Sequence, residues 1–551
     1  MAWILGVNRS HDGGITLLKD NKVVLSIQEE RLTHIKYDNE CFYSLDKVAE
    51  YTKVIDVCVY THLYNRRNDF GPYFKYIRRK LGLHVKNYLE AKDYHHSLHA
   101  ACAYFHSPFD EATVLVIDGA GADHEYGKEN ESIIHIPGNA ANAECLYQSV
   151  VGYVGSELKA DVPSYVDPKP RIGAGYVYSG ITKYLGWDGL ECGKTMGLSS
   201  YGKPNPKIKS ILDEGGGRYQ EFGLADYNNH KEVMVVVRPY EYICSARDEK
   251  EKFQRDADLA YKLQSEFEDY VYMRIMQAYE LSNCPNIIFT GGCALNCVAN
   301  YRIKKRLPPE INLYVEPISS DSGVSLGAAY IGYNKEMPMR FAKKPLMPID
   351  NIYFGQQLQY EEKYENERPA TPSDVAKLIA DGNIVAMAQG RSENGPRALG
   401  NRSILYDPRD PNGKDKVNTV KKRENWRPFA GTVMLEYAHE WFDMAGLPES
   451  PYMMYAMEVL RPDEIPCITH VDNTCRIQTL TEKQNPNYYK LISEFNNLTG
   501  VPILFNTSFN LAGDTIVETM EDAFNTMNES LIEYLYLPEE NKLLYFPNET
   551  N

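Results

Sequence analysis

Three of the chain's 13 histidines fall together at His95, His96 and His99. His95 and His99 are one helical turn apart, so a helix presents both imidazoles on one face, where they can share a metal ion. Taken alone, such a pair reads as surface or capping histidines. The third histidine, and Asp118 at the end of the apolar run Thr113-Val114-Leu115-Val116-Ile117, turn the reading toward a metal centre. Two imidazoles with carboxylates and water suit Fe²⁺, Mn²⁺ or Zn²⁺ better than Ca²⁺. His-Glu-x-x-His does not occur, which argues against protease-type zinc chemistry.

A second reactive candidate is His11, followed by Asp12 in a glycine-containing loop. A histidine facing phosphates can act as a general base on a hydroxyl, because its ordinary pKa lies near neutrality. The competing reading is a loop histidine that caps a turn. Gly189-Leu190-Glu191-Cys192-Gly193-Lys194-Thr195 looks like a phosphate loop, but it has one residue too few between its glycines. Positive charge concentrates later, in Arg391, Arg397, Arg402 and Arg409 and then Lys421-Lys422-Arg423-Glu424-Asn425-Trp426-Arg427. In an acidic chain such a run suggests a site for a small polyanion, with Arg supplying bidentate forks. A solvated face is the alternative.

These residues need elements to hold them. Trp3–Val7, Ile15–Leu18 and Val23–Ile27 read as strands, and Thr113–Ile117 repeats the pattern of an apolar strand ending in an Asp/Gly turn at Asp118-Gly119. The repeat suggests an internally duplicated α/β domain with two facing anion-binding loops; two unrelated hairpins are the alternative. Apolar residues Leu259, Leu263, Phe267, Val271 and Ile275 predict a helix over 258–282. A strand over 286–290 follows and enters the Gly291-Gly292 turn, the arrangement a nucleotide site in an α/β sheet requires. Gly119, Gly291, Gly292 and the nearby Asn296 are therefore candidate nucleotide contacts. A strand at 312–315 precedes Asp321-Ser322-Gly323 and a helix of small residues from Val324. The Pro, Lys and Met-rich stretch 337–350 reads as a linker, giving domains 1–345 and 346–551. In the second, 373–381 reads as a helix, 384–388 as a strand, and 501–505 as a buried strand delivering Asn506 to Asn510 to a ligand.

Composition bounds the function. The chain has 551 residues and a net charge of −16, which argues against nonspecific nucleic-acid binding by phosphate neutralisation. No apolar run of about 18 residues marks a membrane span. The start of the chain has neither a basic n-region nor a cleavage site, so a cytoplasmic protein is expected. Its 11 cysteines are unpaired in spacing and read as reduced, packed thiols, Cys293 and Cys297 included. The 42 tyrosines have no decisive reading.

Several ordered motifs then carry a resemblance: Gly6…His11-Asp12-Gly13, Glu29-Glu30-Arg31, His95-His96-Ser97-Leu98-His99-Ala100, Gly193-Lys194-Thr195-Met196-Gly197-Leu198, Gly291-Gly292-Cys293-Ala294-Leu295-Asn296-Cys297, Asp321-Ser322-Gly323, Gly395-Pro396-Arg397-Ala398-Leu399-Gly400-Asn401-Arg402-Ser403, Arg427-Pro428-Phe429-Ala430, His470-Val471-Asp472-Asn473-Thr474-Cys475-Arg476 and Asn506-Thr507-Ser508-Phe509-Asn510. The chain resembles, nearly end to end, the O-carbamoyltransferases of the nodulation-protein and antibiotic-biosynthesis type. The resemblance implies an N-terminal Kae1-like domain of the duplicated actin/Hsp70-ATPase type, followed by a C-terminal α/β YrdC-like domain. It implies ATP and carbamoyl phosphate as co-substrates, carbamoyl adenylate as intermediate, and transfer to a hydroxyl of a small molecule, sugar or nucleoside derivative. By motif position, His95, His99, Asp118 and Asp321 would be ligands of Fe²⁺ or another divalent metal, and His11 the base of the transfer step. Lys421, Arg427, Arg476 and Ser508 would hold the adenylate, with Arg397, Arg402 and Asn506 beside them. Glu30, Arg31 and Glu191, with Lys36, would border the acceptor. Related enzymes suggest a homodimer. Threonylcarbamoyl transfer to tRNA and a catalytically decayed nucleotide- or sugar-binding protein are the alternatives; the acidic balance weighs against the first and the intact histidines against the second.

Overall fold

The computed structural model describes residues 2–63, 70–124, 126–138, 143–151, 163–167, 172–208, 210–213, 216–217, 222–225, 234–237, 248–334, 349–360, 364 and 366–547. The linker read at 337–350, and with it the boundary between 345 and 346, lies almost wholly outside the described residues. By contact density the chain divides into two compact units. The first holds Met1–Ser10, Leu17–Lys22 and Tyr51–Pro348, and the second His11–Thr16, Val23–Glu50 and Ile349–Asn551.

The fold is mixed α/β. One N-terminal sheet has the order Lys22–Gln28, Gly14–Lys19, Trp3–Arg9, Val54–His62, His84–Glu90, and its last three strands are parallel. The other has Glu144–Val151 beside Gly127–Ile136, then Ala112–Ile117, Asn286–Thr290 and Asn312–Val315, the last three again parallel. In both, the first strand in sequence is inside the sheet with the last two parallel on one side of it; the strands between lie beyond it, two in the first sheet and, counting the two-residue Asp123–His124, three in the second. The all-buried pattern of Ala112–Ile117 fits a strand covered on both faces.

Helices close over the second of these sheets. The long helix is Glu249–Ser282, starting nearer the N-terminus than the apolar spacing predicts. Its first turn is charged and carries no periodicity, and Asp248 caps it by accepting from the Glu251 amide at 2.8 Å. Leu259, Leu263, Phe267, Val271 and Ile275 are all buried, as the spacing requires. The helix His95–His106 packs on Val324–Asn334. Gly327 allows this approach, since a Cβ there would lie 1.9 Å from the Leu98 carbonyl oxygen.

The second unit is built on a nine-stranded sheet in the order Glu367–Pro369, Lys542–Tyr545, Tyr534–Leu537, Val385–Ala388, Arg402–Tyr406, Ile503–Ser508, Ala430–Met434, Thr474–Leu480, Ala456–Glu458. Helices Pro372–Ala380 and Pro486–Thr499 pack against each other. The strand expected over 501–505 runs instead over Ile503–Ser508, so Asn506 and Thr507 sit within the ladder, paired with Leu405 and Ile404.

Candidate active site

In the first unit, the His95–His106 helix, the end of the Ala112–Ile117 strand and the turn Asp321–Gly323 converge. They bring His95, His99, Asp118 and Asp321 together, with one ligand atom from each within 4.8 Å of the others. His95 Nε2 lies 3.2 Å from Asp118 Oδ2 and 3.4 Å from Asp321 Oδ1. His99 Nε2 lies 3.7 and 3.5 Å from the same two oxygens. The two Nε2 atoms face each other at 3.1 Å. All four side chains are buried.

The local sequence explains the convergence. Asp118 follows directly on its strand, and its Oδ1 accepts from the Gly292 amide at 3.1 Å. That amide is aimed by Gly291, whose φ of +88° favours glycine and whose Cβ would sit 2.3 Å from the Ile117 carbonyl oxygen. Asn8 donates from Nδ2 to the Asp321 carbonyl at 2.8 Å and fixes the second acidic turn.

The electrostatics fit a cation. Burial disfavours charge on His95, but the Asp321 and Asp118 carboxylates outweigh it and push the imidazole up to about 10. Burial likewise opposes charge on Asp118, yet the two histidines hold it well below the usual carboxylate range. A buried cluster whose two imidazole nitrogens and two carboxylates converge in this way matches the donor set of a divalent transition metal. The Nδ1 atoms of His95 and His99 have no hydrogen-bond partner among the described residues, so the shared centre is what orients the rings. His96 points elsewhere: its Nδ1 lies 2.8 Å from Ser132 Oγ, and burial pushes it down to about 4.

Other first-unit candidates separate by environment. A Cβ at Gly119 would meet open space, which leaves that turn accessible to a ligand. Asn296, expected to contact nucleotide, caps the Cys297–Arg306 helix: its Oδ1 accepts from Ala299 N at 3.0 Å, and its Nδ2 donates to Gln264 Oε1 at 2.9 Å. Glu191 pairs with Lys194 Nζ at 2.9 Å on a partly exposed turn.

The second unit holds a separate cationic cluster. Lys421, at the end of the Gly413–Val420 helix, is buried and donates to the Asn510 carbonyl at 2.9 Å and Asn510 Oδ1 at 3.2 Å, with Ser508 Oγ at 3.5 Å. Burial, and then the charges of Arg423, Arg427 and Lys36, push its ammonium well below the usual lysine range. Arg423 is depressed in the same way by burial and by Arg427 and Arg476. A carboxylate does approach, Glu424, 3.7 Å from Arg427. Arg476 lies opposite Ala430, whose other neighbour is Asn506, so sheet register puts Arg476 and Asn506 in one row.

Arg423 was not distinguishable within the basic run by sequence. Its guanidinium covers the Phe429 ring at 4.0 Å and donates to Asn418 Oδ1, whose amide in turn donates to the Asn425 and Arg427 carbonyls. Asn418 thus folds the loop, a role no motif signals. Arg402, expected beside a phosphate, is fully buried and donates to the carbonyls of Gln389, Gly390, Asn401 and Glu518. It is a clamp on its own loop, because strand register turns it inward. Asn506 is also fully buried and donates to Thr432 Oγ1 at 3.0 Å and the Ala398 carbonyl at 3.2 Å, behind the cationic row.

His11 and its neighbours belong to this same compact unit. His11 Nδ1 lies 3.3 Å from Asp12 Oδ1, and its ring meets Tyr37 edge-on at 6.4 Å. Burial raises the Glu30 carboxyl, with the Arg31 charge opposing, and its Oε2 accepts from the Tyr37 amide at 3.0 Å. Arg31 is buried and donates from Nη2 to the Gly395 carbonyl at 2.9 Å, while its Nε and Nη1 have no hydrogen-bond partner among the described residues. Arg397 stands two residues beyond that carbonyl.

Comparison with known proteins divides the chain along the sequence. The family profile for the carbamoyltransferase N-terminus matches residues 3–70 and 74–330, and that for the carbamoyltransferase C-terminus matches 376–542. An uncharacterized protein of Synechocystis sp. is 30% identical over 98% of this chain and 96% of its own. Nodulation protein NolNO of Sinorhizobium fredii is 31% identical over 94% of this chain and 76% of its own. The 3'-hydroxymethylcephem-O-carbamoyltransferase of Streptomyces clavuligerus is 36% identical over 44% of this chain and 46% of its own. With both profiles matched in order and a nodulation relative aligned over 94% of this chain, the chain belongs to the carbamoyltransferase family.

Proposed function

We propose that this carbamoyltransferase activates carbamoyl phosphate with ATP and transfers the carbamoyl group to a hydroxyl of a small molecule, sugar or nucleoside derivative. The observation that carries the activation step is the buried Lys421 with the partly buried Arg423, both held below their ordinary ranges by burial and by neighbouring cations that include Arg427 and Arg476. In this reading water cleaves carbamoyl phosphate to carbamate and phosphate. A carbamate oxygen then attacks the α-phosphorus of ATP, and pyrophosphate leaves. Lys421, Arg427, Arg476 and Ser508, with Arg397 nearby, offset charge on the phosphoryl oxygens.

Transfer belongs to the N-terminal half. His95, His99, Asp118 and Asp321 would hold a divalent cation, Fe²⁺ in our reading, which supplies positive charge for the phosphate of carbamoyl adenylate. His11 takes the proton of the acceptor hydroxyl, the oxygen attacks the carbamoyl carbon, and AMP leaves. Glu30, Arg31 and Glu191 are assigned to the acceptor, and Gly119, Gly291 and Gly292 to nucleotide backbone contacts. The shared strand order of the two N-terminal sheets supports a duplicated actin/Hsp70-ATPase-like, Kae1-like domain over 1–345, with a YrdC-like domain over 346–551. Protein given labelled carbamoyl phosphate and ATP is expected to release pyrophosphate only when both are present. Pyrophosphate release independent of carbamoyl phosphate would reject the activation step.

A further inference from the structure

The amino-terminal edge of the second sheet carries a cluster for which carbamoyl transfer has no use. Glu111 immediately precedes the Ala112–Ile117 strand, Cys284 stands just before Asn286–Thr290, and His135 lies at the end of Gly127–Ile136. The first two strands are parallel to each other and the third is antiparallel to Ala112–Ile117, so the three residues meet at one edge. Asp118 and Gly291 follow the opposite ends of the same strands, which sets this cluster apart from the candidate active site.

The donor atoms of Glu111, His135 and Cys284 lie within 4.8 Å of one another. His135 Nε2 is 3.6 Å from Glu111 Oε1; a tetrahedron with metal–ligand bonds of about 2.0–2.3 Å has edges of roughly 3.3–3.8 Å. The ring is already oriented, since His135 Nδ1 lies 3.1 Å from Thr113 Oγ1 and the Nε2 lone pair is left for a cation. Asn286 donates to the Glu111 carbonyl at 3.0 Å and is itself held by Asn312 at 3.0 Å, so the edge is tied across strands. Cys284 is buried, while Glu111 is open to solvent, leaving a route in and room for water as a fourth ligand.

We propose that Glu111, His135 and Cys284 form a second metal site, for a thiophilic divalent transition metal of the zinc class. Thiolate with imidazole and carboxylate selects Zn²⁺ over Mg²⁺ or Ca²⁺. Metal binding by a thiolate displaces the thiol proton, so affinity rises with pH. The other cysteine-containing group among the described residues, Cys102 with His106 and Glu316, is differently committed: His106 engages Glu316 through Nδ1 and Tyr330 through Nε2, each at 2.9 Å.

Full-length protein, stripped with a chelator and titrated with Co²⁺, tests the site. A thiolate-to-cobalt charge-transfer absorption is expected in the wild type, displaced by added Zn²⁺. It should persist in His99→Ala, whose cluster contains no thiol, and vanish in Cys284→Ser. His135→Gln, which keeps the buried thiol and its packing, is expected to weaken cobalt binding about 10-fold or more, and it decides the matter should Cys284→Ser fail to fold. No such absorption in the wild type, or one unchanged in either variant, overturns the proposal.

Discussion

Lys421 combines two facts that rarely coexist: it is buried, and its ammonium is held by carbonyl and amide oxygens while cations crowd it. Its folded pKa is lowered, so between that value and the ordinary one the unfolded chain binds the extra proton, and stability rises with pH across that window. Anion binding has the opposite sign. As the pH rises through the depressed lysine pKa the charge is lost, so KM for carbamoyl phosphate is expected to climb at a pH below the ordinary lysine range. The check is a KM profile against pH, with Lys421→Met expected to lower carbamoyl-phosphate-dependent pyrophosphate release by about 100-fold or more. Arg402 makes the contrasting case. Nothing in its motif distinguishes it from Arg427, yet one is a loop clamp and the other a half-exposed cation, because strand pairing, invisible in composition, decides which guanidinium turns inward. Arg402→Met leaves several carbonyls unsatisfied and is expected to cost about 2–5 kcal/mol of stability in a urea melt.

Gly291 and the helix His95–His106 show how elements fix the metal cluster. Gly291→Ala drives a Cβ toward the Ile117 carbonyl and disturbs the amide that Gly292 gives Asp118. The expected outcome is a stability loss of about 1–3 kcal/mol, together with weaker divalent-metal binding, read by thermal melts and metal titration. Farther along the same helix, His106 is buried against Glu316 and Tyr330 and so ties the helix to the segment that leads to Asp321. His106→Phe takes from buried Glu316 one of its hydrogen-bond partners and is expected to destabilise by about 1–3 kcal/mol in a denaturant melt. The His-x-x-x-His spacing and the strand ending at Asp118 were legible because they are local patterns. The 506–510 segment was misread as a strand end, since apolar composition stops at Phe505 while backbone pairing continues to Ser508. The capping role of Asn296 has no sequence signal of its own, because a helix cap and a ligand contact ask for the same side chain.

At the scale of the molecule, a net charge of −16 coexists with a cationic cluster confined to the second unit, and metal ligands confined to the first. The mixed α/β class was readable from alternating strands and helices. The compact units were not, because Val23–Glu50 joins the second unit through contacts with residues hundreds of positions away. No helix among the described residues is long and apolar enough to cross a membrane. The account places activation on Arg476 and its neighbours and transfer on the histidine and aspartate cluster, so the two half-reactions should separate by mutation. The most direct test is carbamoyl-phosphate-dependent pyrophosphate release by His99→Ala and Arg476→Ala, both checked for folding. The account predicts that His99→Ala retains release close to wild type while losing metal, and that Arg476→Ala loses about 100-fold or more. Loss in both folded variants, or full release by Arg476→Ala, would contradict it.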